Sequence, residues 1–115
     1  MLKRLSLALL LMAATLLADV TGKWSATVET DAGSGSPSFV FKQSGETLTG
    51  TYSGLFGEAP INGTVKGDDI EWSFKASQDG ESVTVKYKGK ISGNQIKGSV
   101  ELGSLGSGTF TATKQ

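Results

Sequence analysis

The chain has no cysteine and no histidine, and only two of its 115 residues are proline. Each shortage closes off some chemistry. Without cysteine there are no disulfides and no thiol nucleophile, so the core alone must hold the fold. Without histidine, Ser-His-Asp triads and histidine-ligated zinc are excluded. An excess of one charge is lacking too, with 11 Lys+Arg against 11 Asp+Glu. Nucleic acid needs a basic excess on its partner, so it is not expected as the main one. Long apolar runs are scarce. The single one, Leu5–Ala18, is broken only by Ser6 and Thr15 and follows Lys3 and Arg4. At about 14 residues it is shorter than the roughly 18 to 20 that a spanning helix needs. A charged start, a short apolar stretch and a polar resumption at Asp19 are the grammar of a secretory signal peptide cleaved after Ala18. The expectation is a leader over residues 1–18 and one domain over 19–115. The mature form would be periplasmic or secreted and without a transmembrane helix. Without Lys3 and Arg4, nine basic residues face eleven acidic ones.

What is present beyond Ala18 is alternation. Apolar residues recur at every second position, which is the strand signal. Trp24, Ala26 and Val28 share one face, with Ser25, Thr27 and Glu29 on the other. Ile70, Trp72 and Phe74 alternate with Glu71, Ser73 and Lys75. Val83, Val85, Tyr87 and Ile91 alternate with Thr84, Lys86, Lys88 and Lys90. The pattern predicts eight strands at about 22–30, 37–43, 46–53, 60–66, 69–76, 82–91, 94–102 and 107–114. Ser44-Gly45, Gly67-Asp68 and Ser92-Gly93 read as tight turns. Asp31–Ser36, Gly54–Glu58, Ser77–Gly80 and Gly103–Gly106 read as looser loops, all at the opposite end of a meander. A weak repeat, Lys42–Gly50 against Lys90–Gly98 with Val65–Ile70 as a looser copy, marks repeated hairpins rather than a solenoid.

Gly50, Gly63, Gly89 and Gly98 fall on the apolar face of their strands. Glycine inside a strand is costly unless the backbone must bend or approach closely. Four on one face predict a sheet curling into a small barrel. The fold expected is therefore all-β, an eight-stranded antiparallel up-and-down meander barrel. A flat sandwich is the rival. Trp24, Phe39, Phe41, Tyr52, Trp72, Phe74, Tyr87 and Phe110 are all expected inside.

No catalytic constellation emerges, and no cofactor or metal site is expected. The inward positions hold no Asp or Glu, and Asp68 and Asp69 are ordinary turn formers. Asp31 and Glu58 lie in two loose loops and form only an isolated carboxylate pair. The stretch Asp31–Gly35 lacks the alternating ligands of a calcium loop and the Lys of a phosphate loop. Two surfaces are candidates for binding. Lys86, Lys88 and Lys90 form a stripe on the outer face of one strand, suited to an anionic contact or simply to solvation. Leu55, Phe56 and Leu105 sit in Gly-flanked loops. They either plug the barrel or form a lip for a small apolar ligand or protein partner.

Gly22-Lys23-Trp24 resembles the G-x-W motif that opens the lipocalin and avidin-like (calycin) barrels. The resemblance implies that Trp24 plugs one barrel end and packs against a basic residue of the last strand, here Lys114. The run Lys42–Thr51 also resembles the K-Q-x-G-x-x-L-x-G-T pattern of small, uncharacterised exported bacterial β domains. The expected function is an exported, non-catalytic binding module. The alternatives are a structural or interaction module with a filled core, and an eight-stranded outer-membrane barrel whose apolar face points to lipid.

Overall fold

The computed structural model describes residues 19–78 and 80–115; the expected leader, residues 1–18, lies outside the described residues. Alternation becomes strands: β1 (Gly22–Thr30), β2 (Gly33–Gly35), β3 (Ser38–Ser44), β4 (Thr47–Gly54), β5 (Gly57–Lys66), β6 (Asp69–Gln78), β7 (Glu81–Ser92), β8 (Gln95–Glu101) and β9 (Ser107–Lys114). Neighbours pair antiparallel in chain order, and β1 closes the ring on β9 through seven pairs from Trp24↔Lys114 to Thr30↔Gly108. That closure decides for the barrel against the sandwich. It also removes the free edges that an open sheet must protect.

The short strand β2 does not add a ninth wall. It follows β3 along the same edge of β1: β3 pairs with Gly22–Ser25 and β2 with Val28–Thr30. The two are one strand broken at Ser36-Pro37, where proline has no N–H for the ladder. The Pro37 carbonyl still accepts from the Ala26 N–H at 3.0 Å, keeping the break in register. The wall thus has eight strands.

The glycines inside the strands do what the curl requires. A Cβ at Gly50 would overlap the Val40 carbonyl oxygen, and one at Gly63 the Glu71 carbonyl oxygen. One at Gly98 would overlap the Lys88 carbonyl oxygen and crowd Gly89, its register partner. At these points a neighbouring strand's backbone passes so close that no side chain fits between the strands.

The loops depart from expectation. The lower end is closed by two-residue turns at Gly45-Glu46, Gly67-Asp68 and Gly93-Asn94, each opened by a left-handed glycine at φ of 60°, 61° and 62°. The upper end is nearly as tight. Strand β5 begins at Gly57, so Gly54↔Gly57 closes a two-residue turn over Leu55-Phe56. Asp31-Ala32 is another such turn, into β2, and β6 and β7 extend to Gln78 and Glu81. Among the described residues of this end, the segment after β8 stays irregular, as a 3-10 turn at Gly103–Leu105. The division into a tight and a loose end is therefore corrected. Glycines at the base of a turn let strands run up to its tip.

All eight aromatic residues expected inside are buried. Phe39 lies at the centre, 5.6 Å from Phe41, 5.9 Å from Tyr52 and 5.2 Å from both Trp72 and Tyr87, ring centre to ring centre. Trp72 stacks on Tyr87 at 4.9 Å, and Phe110 meets both edge-on. Such pairs contribute about 0.5–1.5 kcal/mol each beyond burial. The space a lipocalin-like barrel would give to a ligand is occupied by rings.

One ladder is short. β5 and β6 pair only from Asn62↔Ser73 to Lys66↔Asp69, five pairs against ten between β6 and β7. The Val65 N–H donates to the Glu46 carbonyl, so the odd-numbered residues of β5 bond towards β4 and the even-numbered ones towards β6. The next bonded position up the seam is therefore Pro60, which has no N–H to give.

Candidate functional site

At the lower end the chain entering β1 folds back over the barrel mouth. Val20 is 1% exposed and belongs to the core. Its N–H donates to Gln43 Oε1 at 2.9 Å, and its carbonyl accepts from Trp24 Nε1 at 2.9 Å. Gln43 in turn donates its N–H to Thr21 Oγ1 at 3.0 Å and its Nε2 to the Gly45 carbonyl at 3.0 Å. Trp24 is itself 1% exposed, with its ring 6.2 Å from Phe41. Its register partner is Lys114, half-buried on the inward side of the last strand, whose stem runs beside Gly22. Trp24 and Val20, both 1% exposed and joined by a hydrogen bond, thus lie together at the lower end of the core. The alternation does not reach back to Val20. Gln43, a polar residue continuing the inward series of Phe39 and Phe41, is the signal that would have pointed to it.

At the upper end the three loop residues separate. Leu55 is 82% exposed at the turn tip. Phe56 and Leu105 are half-buried and pack against the core. The Phe56 N–H donates to the Tyr52 hydroxyl at 3.4 Å, and the Tyr52 ring stacks on Phe74 at 4.0 Å. Gly54 makes room, since a Cβ there would come within 2.8 Å of Tyr52 Cζ. Burial pushes the Tyr52 hydroxyl above its ordinary pKa. It pushes Tyr87 further the same way, with Tyr52 adding to the shift. Between the β1–β2 turn and the Leu55-Phe56 turn lies a shallow pocket of about 90 Å³, bordered by Pro37, Tyr52, Leu55, Phe56, Phe74 and Tyr87. That is well short of the roughly 300 Å³ at which small-molecule sites begin.

The two loop carboxylates do not form a pair with a task. Asp31 is tied to the start of β9, accepting from the Ser107 N–H at 3.3 Å and donating its own N–H to the Ser107 carbonyl at 3.1 Å. Glu58 is exposed on β5.

The lysine stripe also looks different once neighbours are known. Lys86 lies opposite Glu101, Lys88 opposite Glu71, and Lys90 opposite Asp69. The last couple closes as an ion pair at 2.5 Å, which holds the Lys90 ammonium pKa up. Each cation has a carboxylate across the strand. Lys86 and Lys88 border an outer groove of about 290 Å³ with Asn62, Glu71, Ser73 and Glu101. Short Ser73 and Ser99 form its floor, and it presents both signs of charge rather than a cationic track.

Neither a family model nor a curated protein matches the chain.

Proposed function

We propose that the protein is an exported, non-catalytic binding module that meets a protein partner at its upper rim, with the barrel interior serving as a rigid support. What supports this reading is the contrast between a ring-filled interior and Leu55, 82% exposed beside an apolar pocket. Exposed leucine on a turn tip costs solubility and contributes little to the core, so it fits a contact surface. The pocket's small volume argues against a swallowed ligand. The outer wall argues against a lipid-facing barrel: Val40 and Leu55 are its exposed large apolar residues among those described, the reverse of an apolar girdle.

The test compares wild type with Leu55→Ser. Immobilised wild type should retain a partner from an exported-protein extract, and Leu55→Ser should lose it with the denaturant midpoint unchanged. Equal retention by both proteins would move the contact elsewhere. No retention, together with no uptake of an apolar dye, would leave the alternative of a structural module with a filled core. Dye uptake that Phe56→Ser abolishes would restore the small apolar ligand.

A further inference from the structure

The ring closes, but the β5–β6 ladder stops halfway up. We propose that the upper part of this seam is a docking slot for one extended segment of a partner protein, which adds to the β6 edge as a strand and carries the alternation apolar–acidic–apolar. The slot adjoins the rim contact proposed above and does not depend on Leu55.

Both strands run on past the last pair of their shared ladder. Asn62↔Ser73 is the uppermost pair, yet β5 reaches up to Gly57 and β6 to Gln78. Their other neighbours hold them extended there. β4 pairs with β5 as far as Gly54↔Gly57, and β7 with β6 as far as Gln78↔Glu81. About five residues of edge, roughly 17 Å, are thus ready-made strand with no ladder across the seam. The Ile91 N–H donates to the Asp68 carbonyl, so the even-numbered residues of β6 bond towards β7 and the odd-numbered ones face the seam. Lys75 and Ser77 therefore turn their N–H and C=O groups to it. In the register of the lower ladder Lys75 meets Pro60, which has no N–H for the Lys75 carbonyl. β5 cannot complete the ladder, whereas an incoming strand can.

The side chains around the seam describe the occupant. The same register sets Ala59 opposite Ala76 on the inward side, the first half-buried against the core and the second buried. Two alanines leave an inward place for an apolar side chain from a strand lying between them. On the outer face the slot is bordered by exposed Lys75, which has Thr84 across the strand and Lys86 on the diagonal. Lys86, Lys88 and Lys90 each have a carboxylate opposite, and Lys75 does not. A carboxylate on the incoming strand supplies one. Exposed Glu58, two residues above Pro60, favours a basic residue at the next outward position. The β6 edge lies within the wall, flanked by β5. A single strand, about 4.8 Å from its neighbours, reaches it where a second folded barrel is blocked. Ladders hold the β4–β5 tip from outside only as far as Ser53 and Asn62, so the tip can swing out to admit that strand.

The probe is the capped peptide Ser-Lys-Val-Asp-Val-Thr. Antiparallel to β6, it sets its Asp beside Lys75 and its Lys beside Ser77 and Glu58. Amide hydrogen exchange is followed by NMR with peptide at millimolar concentration. In dilute free protein the Lys75 and Ser77 amides should exchange fast, and the peptide should slow them about tenfold. Pro60→Thr gives β5 the missing donor, so the ladder should extend and peptide affinity should fall at least about tenfold. Lys75→Glu should weaken binding about threefold and prefer the peptide with Lys in place of Asp. Leu55→Ser should bind the peptide as wild type does, which separates failure of the rim contact from failure of the slot. Lys75 and Ser77 amides already protected in dilute free protein would mean a closed seam and overturn the slot. Peptide binding that Pro60→Thr leaves intact, or no change at either amide, overturns it as well. Protection that grows with protein concentration, with a doubled mass in sedimentation, would overturn it in favour of a second copy of the chain.

Discussion

The two ends of the barrel solve the same problem in opposite ways. Both must cover the rim of a ring-filled cylinder. The lower end does so with hydrogen bonds that use up its polar groups: the Val20 N–H and carbonyl, the Trp24 indole and both ends of the Gln43 amide. The upper end leaves Leu55 in water over a shallow apolar pocket, and beneath that turn the Phe56 N–H reaches the Tyr52 hydroxyl through a long bond. A saturated end has nothing left to offer a partner. An end with unspent apolar surface does, and the proposed contact is placed at the upper rim on that difference.

Substitutions can break or sharpen that contrast. The largest effect belongs to the lower end: Trp24→Ala should destabilise by about 3–5 kcal/mol, as for other fully buried aromatics. Urea midpoints check it, and a loss below about 1 kcal/mol would mean the lower closure is ornamental. The half-buried Phe56 should lose less, about 1–2 kcal/mol for Phe56→Ser, since only part of its apolar area leaves water on folding. A cost equal to that of Trp24→Ala would make the upper end as closed as the lower.

The two tryptophans form a matched pair. Trp24 Nε1 bonds Val20, whereas Trp72 Nε1 is buried among rings with no hydrogen-bond partner among the described residues. Trp24→Phe removes a bond and orphans the Val20 carbonyl. Trp72→Phe removes an orphan. Of the two, Trp24→Phe should cost about 1–2 kcal/mol more. Equal costs would imply that the Trp72 N–H is satisfied, by a ring face for instance.

Alkaline pH probes the upper half through its two buried tyrosines. Tyr52 and Tyr87 have their hydroxyls raised above the ordinary value of 10.0, chiefly by burial. The stability gained by keeping them neutral is fully present below the unfolded value. It is lost as pH rises from there through the folded values. Midpoints should fall above about pH 10, and Tyr87→Phe should flatten that fall. The smallest effect is Leu55→Ser, within about 0.5 kcal/mol of wild type, with partner retention as the sensitive readout.

Much of this was legible in the residues themselves. Period-two alternation placed eight strands, and four glycines on the apolar face announced the curl that the close approach of carbonyl groups to those glycines explains. The turns at the upper end were less legible. Leu55-Phe56 lacks the Asn, Asp or Gly expected at a hairpin tip, and the permissive glycines flank it instead. The carboxylates opposite the lysines depend on register across three strands, which no local pattern carries. Val20 is the second residue beyond the expected leader cut, where apolar character reads as leader rather than core.

The closure of β1 on β9 has a kinetic side. Residues 24–30 find their partners at 108–114, at nearly the full length of the domain. The entropy of that loop is lost before the seven pairs form. Barrels dominated by such pairings fold in roughly milliseconds to seconds rather than microseconds. The nascent domain is therefore an open meander with two sticky edges until its last strand arrives. The expected transition state is one in which the hairpins exist and the ring does not. Mutations at the β1–β9 seam should then speed unfolding more than they slow folding.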